Sequence, residues 1–275
     1  MKFLDAKKKI AYQVSAWRDF IDTYIFPNRT IVETPMGFKM MGGASQHHKA
    51  MQAGNFEVLE ATWLKTQLSQ ADVFVDIGAN IGYFSCLARS LNKQVVAIEP
   101  LNYNVDKLLT NIEINSGPSA EVYPVALSSE LGVLQLYGAS STGASLVPSW
   151  AGASKRISRR VPITTLDRLL HERFVRDRMV IKMDVEGAEF EALKGAIQTI
   201  ERSTRPVWLI EITLGQFMPS GSNPNFIATF ELFLSRGYVA SLLTDRGLIP
   251  ITRDLLGKWQ HQNYSDYSEI NYIFS

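Results

Sequence analysis

The sequence holds a single cysteine, Cys86, in 275 residues, so no disulfide can close within the chain and a secreted, disulfide-stapled scaffold is excluded. Charge of one sign is not in excess either. Against 28 Lys and Arg stand 27 Asp and Glu, a balance of +1, so no global field exists to hold the chain on nucleic acid or an acidic membrane. No stretch approaches the roughly 18 to 20 apolar residues that cross a bilayer. The opening MKFLDAKKKIAYQV lacks the apolar core, about 7 to 15 residues long, of a secretory leader. These absences lead to the expectation of a cytoplasmic protein with neither a transmembrane segment nor a nucleic-acid partner. The remaining composition, 46% hydrophobic and 20% charged, suits one large globular domain with at most a small appendage.

From about residue 72 onward, short β-branched runs alternate with helix-period segments, the pattern of a doubly wound α/β domain. Strands are predicted over 73–77, 95–99, 121–125, 180–184, 207–212 and 238–243. Helical stripes fall on Ile81, Phe84, Leu87, Ala88 and Leu91, and on Val105, Leu108, Leu109 and Ile112. Two further stripes run from Phe190 through Leu193 and Ile197 to Ile200, and from Phe226 to Leu234. The turn Thr244-Asp245-Arg246-Gly247 and a closing strand near 271–274 predict a hairpin-like C-terminal edge. Residues 1–70 read as a separate cap: a helix carrying Ile10, Val14, Trp17, Ile21 and Ile25, a hairpin at Pro35-Met36-Gly37, and a second helix with Val58, Leu59, Trp63 and Leu64. The domain proper is then 71–275. Within it, a strand over 133–137 precedes a Ser/Gly/Ala-rich stretch and the basic run Lys155–Arg160, so 138–160 reads as an inserted loop or lid.

The segment VDIGANIGYFS runs a buried strand into a glycine turn and an amphipathic helix, an arrangement that suits a nucleotide-like ligand. Dinucleotide sites use G-x-G-x-x-G, but here the spacing is Gly78-x-Asn80-x-Gly82, and Asp76 before the loop repels a pyrophosphate. A ligand with a cationic group fits better. The next strand ends in Glu99-Pro100, where an acid can accept from both hydroxyls of a ribose. Asp76, Gly78, Gly82 and Glu99 thus describe a pocket for adenosine with a positively charged amino-acid tail, as in S-adenosylmethionine.

The runs VDIGANIGYFS, VVAIEP with Asn104 after it, TTLD at 164–167, IKMDVEGAE at 181–189 and LIEI at 209–212 resemble the FkbM family of S-adenosylmethionine-dependent methyltransferases, over about residues 57–215. The resemblance implies a Rossmann-like, seven-stranded, mostly parallel sheet with an antiparallel C-terminal strand, and methyl transfer to a hydroxyl of a sugar, glycan or natural product. The cofactor set is then Asp76, Gly78, Ala79, Asn80, Gly82, Tyr83, Glu99, Pro100, Asn104 and Asp184. Residues 1–55, 216–275 and the 138–160 stretch carry little of the resemblance, and choice of the small-molecule or glycan acceptor is expected to reside there.

Lys182, Asp184 and Glu186 alternate along a strand end and share one side, while Glu211 ends the next strand. Asp184, Glu186 and Glu211 are the expected acid–base and acceptor-positioning set, with the division of roles among them open. Glu186 and Glu189 can alternatively start the next helix, where acids suit the dipole. A divalent metal is the rival use of the three acids; it is not expected. Methylation of nitrogen or carboxylate, or a non-catalytic binding module, are the alternative functions. His47-His48 and the cluster Lys155, Arg156, Arg159 and Arg160 are secondary candidates for contacts with the acceptor, and Cys86 carries no assigned chemistry.

Overall fold

The structure, a computed structural model, describes residues 30–41, 46–138 and 143–275. The helix expected over 10–26 lies outside them. Strands β1 (Ile31–Glu33) and β2 (Lys39–Met41) form the antiparallel hairpin expected around Gly37. Helices Gln46–Ala53 and Val58–Leu68 follow. This part of the chain is stitched to the body: Asn111 Oδ1 accepts from the Met41 N–H at 2.6 Å and Asn115 Oδ1 from that of Lys39 at 2.7 Å.

The body alternates β3 (Val73–Ile77), β4 (Gln94–Ile98), β5 (Ala120–Tyr123), the short β6 (Ala126–Leu127), β7 (Gly132–Tyr137), β8 (Ser158–Thr164), β9 (Met179–Met183), β10 (Val207–Glu211), β11 (Ala240–Thr244), β12 (Gly247–Ile251) and β13 (Asn271–Phe274) with helices. The main sheet has the order β12-β11-β13-β10-β9-β3-β4-β5. Strands β5, β4, β3, β9 and β10 run parallel, and β13 is antiparallel to both its neighbours, β10 and β11. The expectation of seven strands is corrected to eight. The apolar run after the Thr244–Gly247 turn folds back as β12, adding an antiparallel edge that covers β11. A separate sheet β6-β8-β7 occupies part of the stretch read as loop, since Ser158–Thr164 pairs with Gly132–Tyr137.

Side-chain alternation divides the core between the two faces. Val73, Val75, Ile77, Ile181 and Met183 join Trp208, Phe230, Phe233 and Phe274 on one face, where Phe233 and Phe274 stack at 4.1 Å. Each such aromatic contributes roughly 1.5–3 kcal/mol by burial. On the other face Phe74, Val95, Ala97 and Leu209 pack under the helix Tyr83–Ser90. Asp76 and Lys182 are register partners on that second face, both buried. Among the described residues no helix is long and apolar enough to cross a membrane.

Candidate active site

A cavity of about 320 Å3 opens at the carboxyl ends of β3, β4, β9 and β10, where parallel strands leave a crevice. Gly78, Ala79, Asn80, Tyr83, Glu99, Pro100, Asn104 and Asp184 line it, as do Glu186 and Glu211. Asp76 and Gly82 do not. Strand alternation sends the Asp76 carboxylate under the following helix, where it accepts from Ser85 Oγ at 2.6 Å. Gly82 sits against the neighbouring helix, and a Cβ there would meet Leu108 Cδ1 at 2.5 Å. The need for glycine at 78 also differs from the ligand approach expected. With φ +81, its missing Cβ leaves room for the Asp184 carbonyl oxygen, which would otherwise lie 1.9 Å away.

Glu99 is tied to the glycine loop. Its Oε2 accepts from the Asn80 N–H at 2.9 Å, and Oε1 from the Leu101 N–H at 2.9 Å and Asn104 Nδ2 at 3.2 Å. A carboxylate offers about four acceptor positions, so about one remains, on Oε2. Burial pushes the carboxyl up to about 7 despite these three donors.

Strand β9 ends at Met183, so the alternation that joins Lys182 to Asp184 does not reach Glu186. Glu186 instead stands in a left-handed turn, φ 57, outside the helix Glu189–Lys194. Glu189 does start that helix, and its Oε1 accepts from the Gly187 N–H at 2.9 Å. Trp150 Nε1 donates to Glu186 Oε2 at 2.6 Å, and Ser145 Oγ donates to the Glu186 carbonyl at 2.5 Å. The expected lid segment is thus docked on the acidic turn from 145 to 150. Phe217, φ 66 and 42% exposed, extends this aromatic edge, its ring 5.8 Å from that of Trp150.

Lys182, 4% exposed, is the hub. Its Nζ lies 3.2 Å from Asp184 Oδ2, 3.7 Å from Glu57 Oε2 and 4.8 Å from the centre of the Phe84 ring. Burial works against its charge, but Asp184, Glu57, Asp76 and Glu211 together hold it above the ordinary lysine range. Burial pushes Glu57 up to about 7, Lys182 opposing and Asp184 reinforcing the shift. Burial, with Asp184 next, pushes Glu186 up to about 8. Glu211 is raised well above the carboxylate range by burial and by its acidic neighbours Asp184, Glu186 and Glu57. Among the described residues no donor pairs with the Glu211 side chain, and no three His, Cys, Asp or Glu side chains are placed to share a metal ion.

Sequence reasoning missed Glu57, Phe56, Trp150 and Phe217, which also line or support the cavity. Of the secondary candidates His47 lines it, whereas Lys155, Arg156, Arg159 and Arg160 do not; Arg159 stands over Tyr103 at 5.9 Å.

Residues 76–240 match the family model described as the methyltransferase FkbM domain, more than half of the chain. The chain belongs to the FkbM methyltransferase domain family. This FkbM chain is also 30% identical, over 146 residues, to the hexuronic acid methyltransferase AglP of Haloferax volcanii. That match covers 50% of the chain and 55% of AglP, so it spans about half the length of the relative. Similar solved structures include an O-methyltransferase from Bacillus cereus in complex with SAH (12% identical, TM-score 0.43, covering 82% of this chain and 84% of that one). Magnesium protoporphyrin IX methyltransferase of Synechocystis PCC 6803 is 13% identical, with TM-score 0.43 and 96% of both chains covered.

The raised carboxyls of the FkbM chain have a consequence for stability. Unfolded, these glutamates release their protons near 4.5; folded, Glu57, Glu99, Glu189 and Glu186 keep theirs to about 7, 7, 7 and 8. The folded state therefore binds more protons over this window, and stability falls as pH rises through it. Lys182, raised from 10.5, adds no slope at so low a pH. The thermal midpoint of the ligand-free protein is expected to fall by several degrees between about pH 5 and about pH 8 in scanning calorimetry. A midpoint that rises over that interval would contradict these assignments.

Proposed function

We propose that the cavity binds S-adenosylmethionine and that the protein transfers its methyl group to a hydroxyl oxygen of a sugar or glycan. The observation that carries this reading is the imbalance of charge in the cavity. Glu57, Glu99, Asp184, Glu186 and Glu211 line it, and Lys182 is the one Lys or Arg among the described lining residues. Such a set is completed by a cationic ligand, and family membership and the name of the relative AglP support both the cofactor and the acceptor class.

The open position on Glu99 Oε2 takes a ribose hydroxyl, while Ala79, Asn80, Pro100 and Asn104 shape the adenosine end. Bound there, S-adenosylmethionine supplies an electrophilic methyl on a sulfonium leaving group. The protein's own contribution is chiefly to position the acceptor oxygen. Asp184 is engaged by Lys182 and Glu186 by Trp150, so the unpaired Glu211 carboxylate is the group that receives the hydroxyl proton. Glu186 and Asp184 orient the acceptor. The reading also keeps residues 1–70 as a cap, 138–160 as an insertion facing the acceptor, and residence in the cytoplasm, which suits the lone buried thiol of Cys86. Demethylated cofactor should form from S-adenosylmethionine when sugar acceptors are added and not without them. Formation independent of any acceptor would count against the reading.

A further inference from the structure

Glu57 lies outside the FkbM match, which begins at residue 76. It occupies the N-cap position of helix Val58–Leu68, yet its side chain makes no cap hydrogen bond and its backbone is left-handed, φ 41 and ψ 53. A cap acid typically contributes ~1 kcal/mol to a helix start, and a non-glycine residue in this region of φ is strained. Both contributions are forgone to aim the carboxylate into the cavity, 3.7 Å from Lys182 Nζ.

A second feature at the same place is independent of the first. Tyr83, 1% exposed, is fixed edge-on by Phe38, Phe56 and Phe84 at 5.2–5.5 Å, and its hydroxyl has no hydrogen-bond partner. A buried hydroxyl left unpaired costs about 1–3 kcal/mol, which a polar ligand in the cavity would relieve. Burial first, and then the Glu57 charge, raise the Tyr83 phenol, so the carboxylate and the hydroxyl lie within each other's field.

We propose that Glu57 and the Tyr83 hydroxyl form the subsite for the amino-acid end of the cofactor, the carboxylate taking its ammonium group. The inference rests on the cofactor reading and extends it to Glu57, a residue beyond the family match. Glu99 meets the glycine loop at Asn80 and marks the ribose side. Tyr83 stands where the loop becomes helix, and there Glu57 and Lys182 present opposite charges side by side, the complement of an α-amino-acid zwitterion. The part of the chain before residue 70 then serves the cofactor as well as the acceptor.

Calorimetry on the full chain with S-adenosylmethionine, S-adenosylhomocysteine and 5′-methylthioadenosine, which lacks the amino-acid end, tests this. Glu57→Gln is expected to weaken the first two by about 10-fold or more and to leave the third within about 2-fold, as loss of a charge-assisted bond requires. Tyr83→Phe should show the same pattern at about 3-fold, and Glu57→Asp should recover part of the loss. Equal losses for all three ligands, or none for any, would overturn the inference while leaving the cofactor reading intact. A wild-type chain that binds none of the three overturns the cofactor reading itself, and the subsite with it.

Discussion

Glu211→Gln is expected to lower kcat by ~10²- to 10⁴-fold, about 3–5 kcal/mol of barrier, while cofactor affinity changes little. Glutamine keeps the size and shape of the side chain but cannot accept the acceptor's proton. Asp184, Glu186 and Glu211 all line the cavity, and their partners separate them. Asp184 is bound to Lys182 at 3.2 Å and Glu186 to Trp150 Nε1 at 2.6 Å, whereas Glu211 has no donor among the described residues. Burial and acidic neighbours raise Glu211, so its deprotonated fraction grows with pH above the ordinary carboxylate range. The wild-type rate should therefore climb with pH on its acid side, and the climb should vanish in Glu211→Gln. A variant that keeps kcat within about threefold, with the acid limb intact, would remove Glu211 from the role of base.

Gly78→Ala should be the most damaging small substitution in the glycine loop. At φ +81 an alanine pays ~1–2 kcal/mol for left-handed backbone. Its Cβ would also stand 1.9 Å from the Asp184 carbonyl oxygen, which belongs to backbone and has no rotamer to turn. The Asp184 N–H donates to the Ile77 carbonyl at 3.0 Å, so the two segments cannot part without breaking the join between β3 and β9. A total of roughly 3 kcal/mol or more is expected, read as a lower urea midpoint. Gly257→Ala is the control: it lies in the helix Arg253–Gln262 with nothing within 4 Å of a Cβ, and should gain about 0.5–1 kcal/mol. Equal effects at the two sites would show that the close approach at Gly78 is not as described.

Much of this architecture is legible in the residues. The run Val73–Ile77 is read to the residue and the closing strand is placed near its observed span Asn271–Phe274, because apolar side chains on both faces and flanking turn residues mark them. That Glu99, Asp184 and Glu211 line the cavity is legible for a related reason: each directly follows or ends a strand, and parallel strands gather their carboxyl ends. Strand β8 is not, since Ser158, Arg159, Arg160 and Pro162 resemble a loop until β7 pairs with them. Asp76 was readable as buried and outside the cavity lining, for it alternates with Val75 and Ile77 and shares the face of Phe74. Glu57, Trp150 and Phe217 were not, because their places depend on left-handed residues at 57, 149, 151 and 217 that no periodicity announces.

The binding of S-adenosylmethionine to the full chain, followed by calorimetry near neutral pH in buffers of different ionisation enthalpy, tests the central claim most directly. One molecule should bind per chain with net release of protons, because carboxyls that burial holds at about 7 and 8 give them up when a cation arrives among them. The affinity should fall at least ~10-fold in Glu99→Ala, which removes the ribose acceptor. Absence of saturable heat with the wild-type chain, or an affinity that Glu99→Ala leaves unchanged, would contradict the assignment of this acidic cavity to the cofactor.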